Sequence, residues 1–182
     1  MKHVVMIALS IGIMTLCGCS TEKADQPPQK IPAITLSPAD KEKLLKFQKE
    51  ILNVENLTDK AVKLAGDELK NVMKGEGASL NLPAIIDKAK AECLLAAESL
   101  AKKKVPETLP PELKRLLNEG KTGLVAANKA YVESFTAIKS FVTDKNPMAL
   151  LEYRKKSAQA QELYTAATEK LKMIMTATGE TK

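Results

Sequence analysis

The chain has 182 residues, which is enough for one domain with a substantial core and an appendage. Apolar residues make up 45% of the chain but aromatic residues only 3%, so Leu, Ile, Val, Ala and Met must build the core, and this favours helices over a β-sandwich. The net charge of +6 arises from charged residues of both signs, 27% of the chain in all, which indicates a mixed solvated surface and argues against a nucleic-acid-binding tail.

Residues 1–18 have the pattern of an export signal. Met1, Lys2 and His3 form a short positive start, and an almost unbroken apolar run extends from Val4 to Leu16. This run is shorter than the ~20 apolar residues that a transmembrane helix needs. The pattern therefore predicts a signal peptide that is cleaved.

The apolar run ends in the sequence Leu16-Cys17-Gly18-Cys19. These residues resemble the lipobox of bacterial lipoproteins, in which a Leu, a small residue and a Gly or Ala precede an obligatory Cys. The resemblance implies cleavage between Gly18 and Cys19, a thioether-linked diacylglycerol on Cys19 and often a further acyl chain on the new amino terminus. The alternatives are an ordinary secretory signal with an incidental Cys, or an uncleaved anchor.

The same resemblance implies a location for the mature chain. Two or three acyl chains make a stable anchor, whereas one gives only marginal membrane binding. The residue after the acylated Cys is Ser20 rather than the Asp that often marks inner-membrane retention. We therefore expect a lipid-anchored protein on the periplasmic side, at the outer membrane if the cell has one.

Residues 19–36 are predicted to be the lipidated Cys and a flexible linker. Pro27, Pro28 and Pro32 interrupt this stretch, which has no helical period. Seventeen residues from Ser20 to Leu36 could extend to ~55 Å, so the folded part can stand off the bilayer.

Residues 37–182 are predicted to form one helical domain, which prolines divide into four amphipathic segments. The predicted starts are Ser37-Pro38, Asn81-Leu82-Pro83, Pro111 and Asn146-Pro147, and the last patterned residues are Val72, Leu100, Val142 and Ile174. Short connections predict an all-α, up-down-up-down antiparallel four-helix bundle with a seam like that of a coiled coil.

Two features of this predicted bundle bear on its surface. Gly66, Gly120 and Gly123 lie on the seams and would let helices approach closely, unless they only weaken their helices. The second helix spans ~20 residues against ~30 or more for the others, by the 3.6-residue pattern. One end of the bundle would then be three helices thick, with a groove or an exposed apolar strip.

The residue inventory argues against an enzyme. His3 is the only histidine, and cleavage of the signal removes it, which excludes Ser-His-Asp sites, histidine-bearing di-iron sites and c-type haem attachment. Paired carboxylates remain, but their helix positions are polar and the chain has no Trp to grip a sugar. We expect no catalytic residues, no metal site and no cofactor.

Four other residues invite a functional reading beside a structural one. Cys93 lies on the apolar face of the second helix, as a buried small hydrophobe or as a thiol for an intermolecular disulfide. Tyr131, Tyr153 and Tyr164 lie near the seam. They could line a small-molecule pocket between helices, or simply reach the edge of the bundle with their hydroxyls.

Two basic clusters could contact anionic lipid headgroups, lipopolysaccharide or an acidic partner. They are Lys102, Lys103 and Lys104 at the end of the second helix and Arg154, Lys155 and Lys156 in the fourth. The first also complements the helix dipole, and the second has acidic residues nearby that indicate a solvated face. Nucleic acid is not expected as a partner, because few aromatic residues are present to stack on bases.

The function predicted from the sequence is a non-catalytic interaction or structural module, held at a membrane through acylated Cys19 and facing an envelope protein partner. The alternative is a sensory or carrier domain that binds a small molecule between its helices. A pocket enclosed by Tyr131, Tyr153 and Tyr164 would favour the small molecule, whereas a tightly packed interior with an exposed apolar strip would favour a protein partner. A strip buried against a second copy would indicate a homo-oligomer.

Overall fold

The computed structural model describes residues 34–75 and 81–178. Within these ranges the chain forms four α-helices and no strand, which confirms the predicted all-α, helical-bundle class. The helices are α1 (Pro38–Met73), α2 (Leu82–Lys102), α3 (Pro111–Asp144) and α4 (Pro147–Ala177). The helices have 36, 21, 34 and 31 residues, so α2 is the shortest, as predicted. The predicted signal, Cys19 and most of the linker lie outside the described residues.

Local sequence signals explain where the helices begin. Each helix has a Pro in its first turn, where the missing N–H and fixed φ are compatible with a helix. The Ser37 hydroxyl accepts a hydrogen bond from the Asp40 N–H at 3.1 Å, and the Asn146 side chain accepts one from the Met148 N–H at 3.0 Å. Asn81 precedes α2 but makes no capping hydrogen bond with its side chain.

The core consists of two clusters. The buried residues of the first are Leu44, Phe47, Ile51, Leu100, Val105, Leu109, Leu113, Leu116, Leu117, Leu124, Ala167 and Ile174. Those of the second are Ala65, Leu69, Leu82, Ile86, Ala89, Cys93, Phe135 and Ile138, with Leu150 and Tyr153 of α4 packed against them. In this core, α3 contacts both α2 and α4, and α1 contacts α2.

The connection between α2 and α3 fills the space beyond the short second helix. Val105 and Leu109 are both buried and belong to the first cluster, against Leu113 and Leu44. The short length of α2 therefore leaves no open end there, and the apolar groove described below lies between α1 and α4.

Glycines bring α3 and α4 close together. A methyl group added at Gly123 would lie 2.8 Å from the Ala167 Cβ, and one at Gly120 would lie 2.9 Å from the Leu171 Cδ2. These two close approaches match the expectation for seam glycines. The same expectation was wrong for Gly66, where an added methyl would meet nothing within 4 Å.

Candidate binding groove

An apolar groove of about 730 Å³ runs between α1 and α4. Leu45, Ile51 and Leu52 line it on α1, and Leu171 and Met175 line it on α4. Leu52 is 54% exposed, and Leu45 and Met175 are also exposed. Exposed leucines of α1 lie opposite residues of α4, and the apolar surface between the two helices remains accessible.

Charged and polar side chains from both helices also line the groove. The side chains of Lys49 and Lys172 line it, one from each helix. Gln48 also lines it, and its side-chain nitrogen is buried without a hydrogen-bond partner. Glu55 is the last residue of α1 that lines the groove, and it also lines an inner cavity.

The inner cavity is small and polar, with a volume of about 50 Å³. Glu55 and Thr58 of α1 line it together with Asn128 and Tyr131 of α3 and Tyr164 of α4. Glu55 and Tyr164 line both spaces, so the cavity and the groove adjoin. We call the two spaces together the α1–α4 site.

Two buried acceptors in this cavity lack donors. Glu55 is only 9% exposed and Asn128 only 4%, yet the Glu55 Oε1 and the Asn128 Oδ1 have no hydrogen-bond partner. Three of the donors that line the cavity are engaged elsewhere. The Asn128 Nδ2 donates to the Leu124 carbonyl at 3.0 Å, the Thr58 hydroxyl to the Val54 carbonyl at 3.2 Å, and the Tyr131 hydroxyl to the Gln161 Oε1 at 3.1 Å. Buried polar groups are normally paired, so this arrangement points to an occupant.

Burial changes the proton affinity of Glu55. Removal from water raises the pKa of its carboxyl group to about 7, and the nearby Asp59 carboxylate contributes in the same direction. Burial likewise raises the pKa of Tyr131 to about 12 and raises that of Tyr164, so both hydroxyls stay protonated. The site therefore contains one group that titrates near neutral pH.

The structure brings together two of the three predicted tyrosines. Tyr131 and Tyr164 both line the inner cavity, whereas Tyr153 packs against the second core cluster. The sequence prediction missed Glu55, although the chain offers a signal for it. Glu55 follows Ile51 by four residues and precedes Thr58 by three, so a carboxyl group stands in the apolar series of α1.

The basic clusters lie away from this site, and each contributes to helix packing. Lys103 pairs with Glu50 at 2.8 Å, and Lys156 pairs with Glu133 at 2.5 Å. The other members, Lys102, Lys104, Arg154 and Lys155, are exposed. Lys155 and Lys156 also border a shallow depression between α3 and α4.

Cys93 is a core residue. Its side chain is fully buried in the second cluster, and burial raises the pKa of its thiol to about 12. A thiol with so little thiolate is a poor nucleophile, so an intermolecular disulfide at Cys93 would require the helix to leave the core.

Two kinds of feature are absent from the described part of the chain. Among residues 34–75 and 81–178, no three His, Cys, Asp or Glu side chains lie close enough to hold a metal ion. None of the helices in the described part of the chain is both long and apolar enough to span a bilayer.

Comparison with known proteins adds no assignment: no protein-family model, curated protein or solved structure matches this chain.

Proposed function

We propose that this protein is a lipid-anchored, non-catalytic binding module of the bacterial cell envelope. Support for the anchor comes from Leu16, Gly18 and Cys19 in the lipobox-like sequence. Two or three acyl chains on Cys19 would hold the chain at a membrane. The linker would then carry the helical domain on the periplasmic side, at the outer membrane if the cell has one.

We further propose that the four helices run up-down-up-down. Ion pairs between neighbouring helices support this order. A residue early in one helix pairs with a residue late in its neighbour, as antiparallel helices require. Glu119 pairs with Lys170 and Glu133 with Lys156. In the same way, Lys139 of α3 pairs with Asp87 of α2, near the start of α2 and the end of α3.

The α1–α4 groove is the observation that carries the proposed binding role. It is an open apolar surface beside a well-packed core, and soluble domains rarely expose such surface without a use for it. An exposed apolar strip of this kind is the feature expected of a surface that takes a protein partner.

A small-molecule ligand is the second candidate, and the inner cavity specifically favours it. A volume of about 730 Å³ falls within the range of small-molecule sites. Such sites combine an apolar wall with a few polar groups that fix orientation, as Glu55 and Asn128 could do here. Tyr131 and Tyr164 would border the head of such a ligand.

Replacement of Cys19 tests the anchor. We expect Cys19→Ala to abolish incorporation of labelled fatty acid and to release the chain from washed membranes, or to stop its maturation. Cys17→Ala is the matched control, because Ala is common at that place in the lipobox pattern, and it should stay acylated and membrane-bound. A Cys19→Ala chain that keeps its acyl label would contradict the anchor.

A pair of exposed leucines on α1 tests the groove. Leu52 lines it, whereas Leu57 is 64% exposed and does not. We expect Leu52→Glu to abolish crosslinks or ligands that the wild type captures in intact envelopes, and Leu57→Glu to retain them. Equal capture by both variants would show that the groove is not the binding surface.

A further inference from the structure

Three features of the described residues could support a more specific ligand assignment. They are the depression between α3 and α4, the thiol of Cys93 and the α1–α4 site. The shallow depression beside Lys155 and Lys156 has its charges already matched by Glu133 and Glu152. Cys93 is sealed in the core. The α1–α4 site, by contrast, combines open apolar surface with buried acceptors that lack donors.

We propose that the α1–α4 site binds a cationic amphiphile, with its ammonium group between Glu55 and Asn128 and its apolar chain along the groove. This inference rests on the second candidate function, the binding of a small molecule, and names the class of that ligand. The occupant is thus a small molecule with one protonated amine and a single apolar body.

The missing donors select an ammonium group. A protonated primary amine has three N–H donors and no acceptor, so it can satisfy the Glu55 Oε1 and the Asn128 Oδ1 together. A carboxylate or phosphate would bring further acceptors to a cavity that already has too many. Gln48, whose side-chain nitrogen also lacks a partner, stands seven residues from Glu55 on α1, about 10 Å away by helical rise. It is too distant to serve the same group.

Charge and ring chemistry favour the same ligand. Asp59 borders the cavity beside Glu55, which makes the inner end acidic, and two tyrosine rings, Tyr131 and Tyr164, complete the wall. Carboxylates and aromatic faces are the usual partners of a desolvated ammonium group. Lys49 and Lys172 lie on the groove and would repel a second positive charge there, which favours a ligand with one cationic end.

The raised pKa of Glu55 is consistent with a missing counter-ion. The titratable groups that line the inner cavity with this carboxyl are Asp59 on α1, Tyr131 on α3 and Tyr164 on α4, and none of these is cationic. Two cations, Lys49 and Lys172, line the adjoining groove. A bound ammonium would stabilise the carboxylate form and lower its pKa. Binding should therefore tighten as the pH rises through about 7, where Glu55 ionises and an alkylamine is still protonated.

Isothermal titration of octylamine, octanol and octanoate tests this assignment. The protein is the predicted mature chain, residues 19–182, with Cys19→Ser so that no acyl chain competes, and its helical circular dichroism and cooperative melting verify the fold. We expect octylamine to bind about tenfold or more tightly than octanol at pH 8, because a hydrogen bond to a charged group is added. Octanoate should bind most weakly.

Two variants separate the parts of the site. Glu55→Gln should remove the preference for octylamine and its pH dependence, while octanol still binds. Glu42→Gln changes an exposed glutamate on the same helix and should behave as the wild type. Leu52→Glu should weaken both octylamine and octanol.

Each contrary outcome is informative. If octanol binds as tightly as octylamine and Glu55→Gln changes nothing, the ammonium site is overturned but the groove remains a binding surface. If water alone fills the cavity, none of the three probes shows a preference that depends on Glu55, and the ammonium site is again overturned. If neither these probes nor the neutral dye N-phenyl-1-naphthylamine binds, the groove itself fails as a small-molecule site.

Discussion

Helix α4 packs closely against α3 but leaves a groove towards α1, and the contrast shows how side-chain size determines packing. Towards α3, the glycines at 120 and 123 bring the backbones so close that an added methyl would clash with Ala167 or Leu171. Towards α1, large side chains such as Leu45 and Leu52 remain exposed across a groove of about 730 Å³. Small residues thus close one side of α4, and large residues with no partner leave the other side open.

The two sides also differ in how their polar groups are satisfied. Across α3 and α4, Lys170 and Lys156 pair with Glu119 and Glu133. These pairs are partly exposed and add little to stability, so close packing is its main source. On the α1 side, the Oε1 atom of buried Glu55 has no hydrogen-bond partner.

The largest expected effect contrasts a leucine in the core with one in the groove. Leu124→Ala removes a fully buried side chain of the first cluster and should lower the free energy of unfolding by about 3 kcal/mol. Leu52→Ala removes an exposed side chain and should change it by less than about 0.5 kcal/mol. Urea denaturation of both variants measures the difference. A loss at Leu52 as large as at Leu124 would mean that the groove is closed in solution.

Introducing a methyl group into the α3–α4 contact should have the next largest effect. Gly123→Ala places its Cβ 2.8 Å from that of Ala167 and should destabilise the protein by about 2 kcal/mol, because two helix backbones must separate. Thermal unfolding at fixed pH provides the measurement. No loss of stability would indicate that α3 and α4 are farther apart than described.

The buried carboxyl on the α1 side should make stability depend on pH. The pKa of Glu55 is about 7 in the folded protein against an ordinary value of 4.5, so the folded state holds the proton more tightly. Stability therefore falls as the pH rises from about 4.5 to about 7, and the cost is complete above that range. Between pH 5 and pH 8, Glu55 should lower the free energy of unfolding of the wild type by about 2 kcal/mol, and Glu55→Gln should not show this fall. Equal pH dependence in the variant and the wild type would contradict a buried, unpaired Glu55.

The smallest effect should have the opposite sign. Gly66 lies inside α1 with nothing within 4 Å of an added methyl. Gly66→Ala should therefore stabilise the protein by about 0.5–1 kcal/mol, because alanine loses less backbone entropy in a helix. The melting temperature should rise slightly, in contrast to its fall in Gly123→Ala. A fall at Gly66 would reveal a contact that is absent from the structure.

The helices and their starts could be predicted from the sequence because their signals are local. Pro38 and Pro147 follow capping residues, and the apolar period needs only neighbouring residues to be recognised. The role of each glycine could not be predicted this way. Gly66 and Gly123 both lie on apolar helix faces, and only the packing distance between helices distinguishes a close contact from open space.

The candidate site was even harder to predict than the roles of the glycines, because it forms only in the tertiary structure. Tyr131 and Tyr164 both line the inner cavity, whereas Tyr153 packs against the second core cluster. Glu55 was missed because a single carboxyl in an apolar series usually turns to solvent. Its burial depends on how Asn128 and Tyr164 of other helices surround it, which no local pattern records.

Methyl NMR during an octylamine titration tests the central claim most directly, because it locates the binding surface and the ligand together. We predict that the shifts concentrate on Leu45, Leu52 and Met175, which line the groove. Leu57 and Leu94, exposed elsewhere on α1 and α2, should stay unchanged. Shifts of equal size at Leu57 and Leu94, or none at Leu52, would contradict a binding site between α1 and α4.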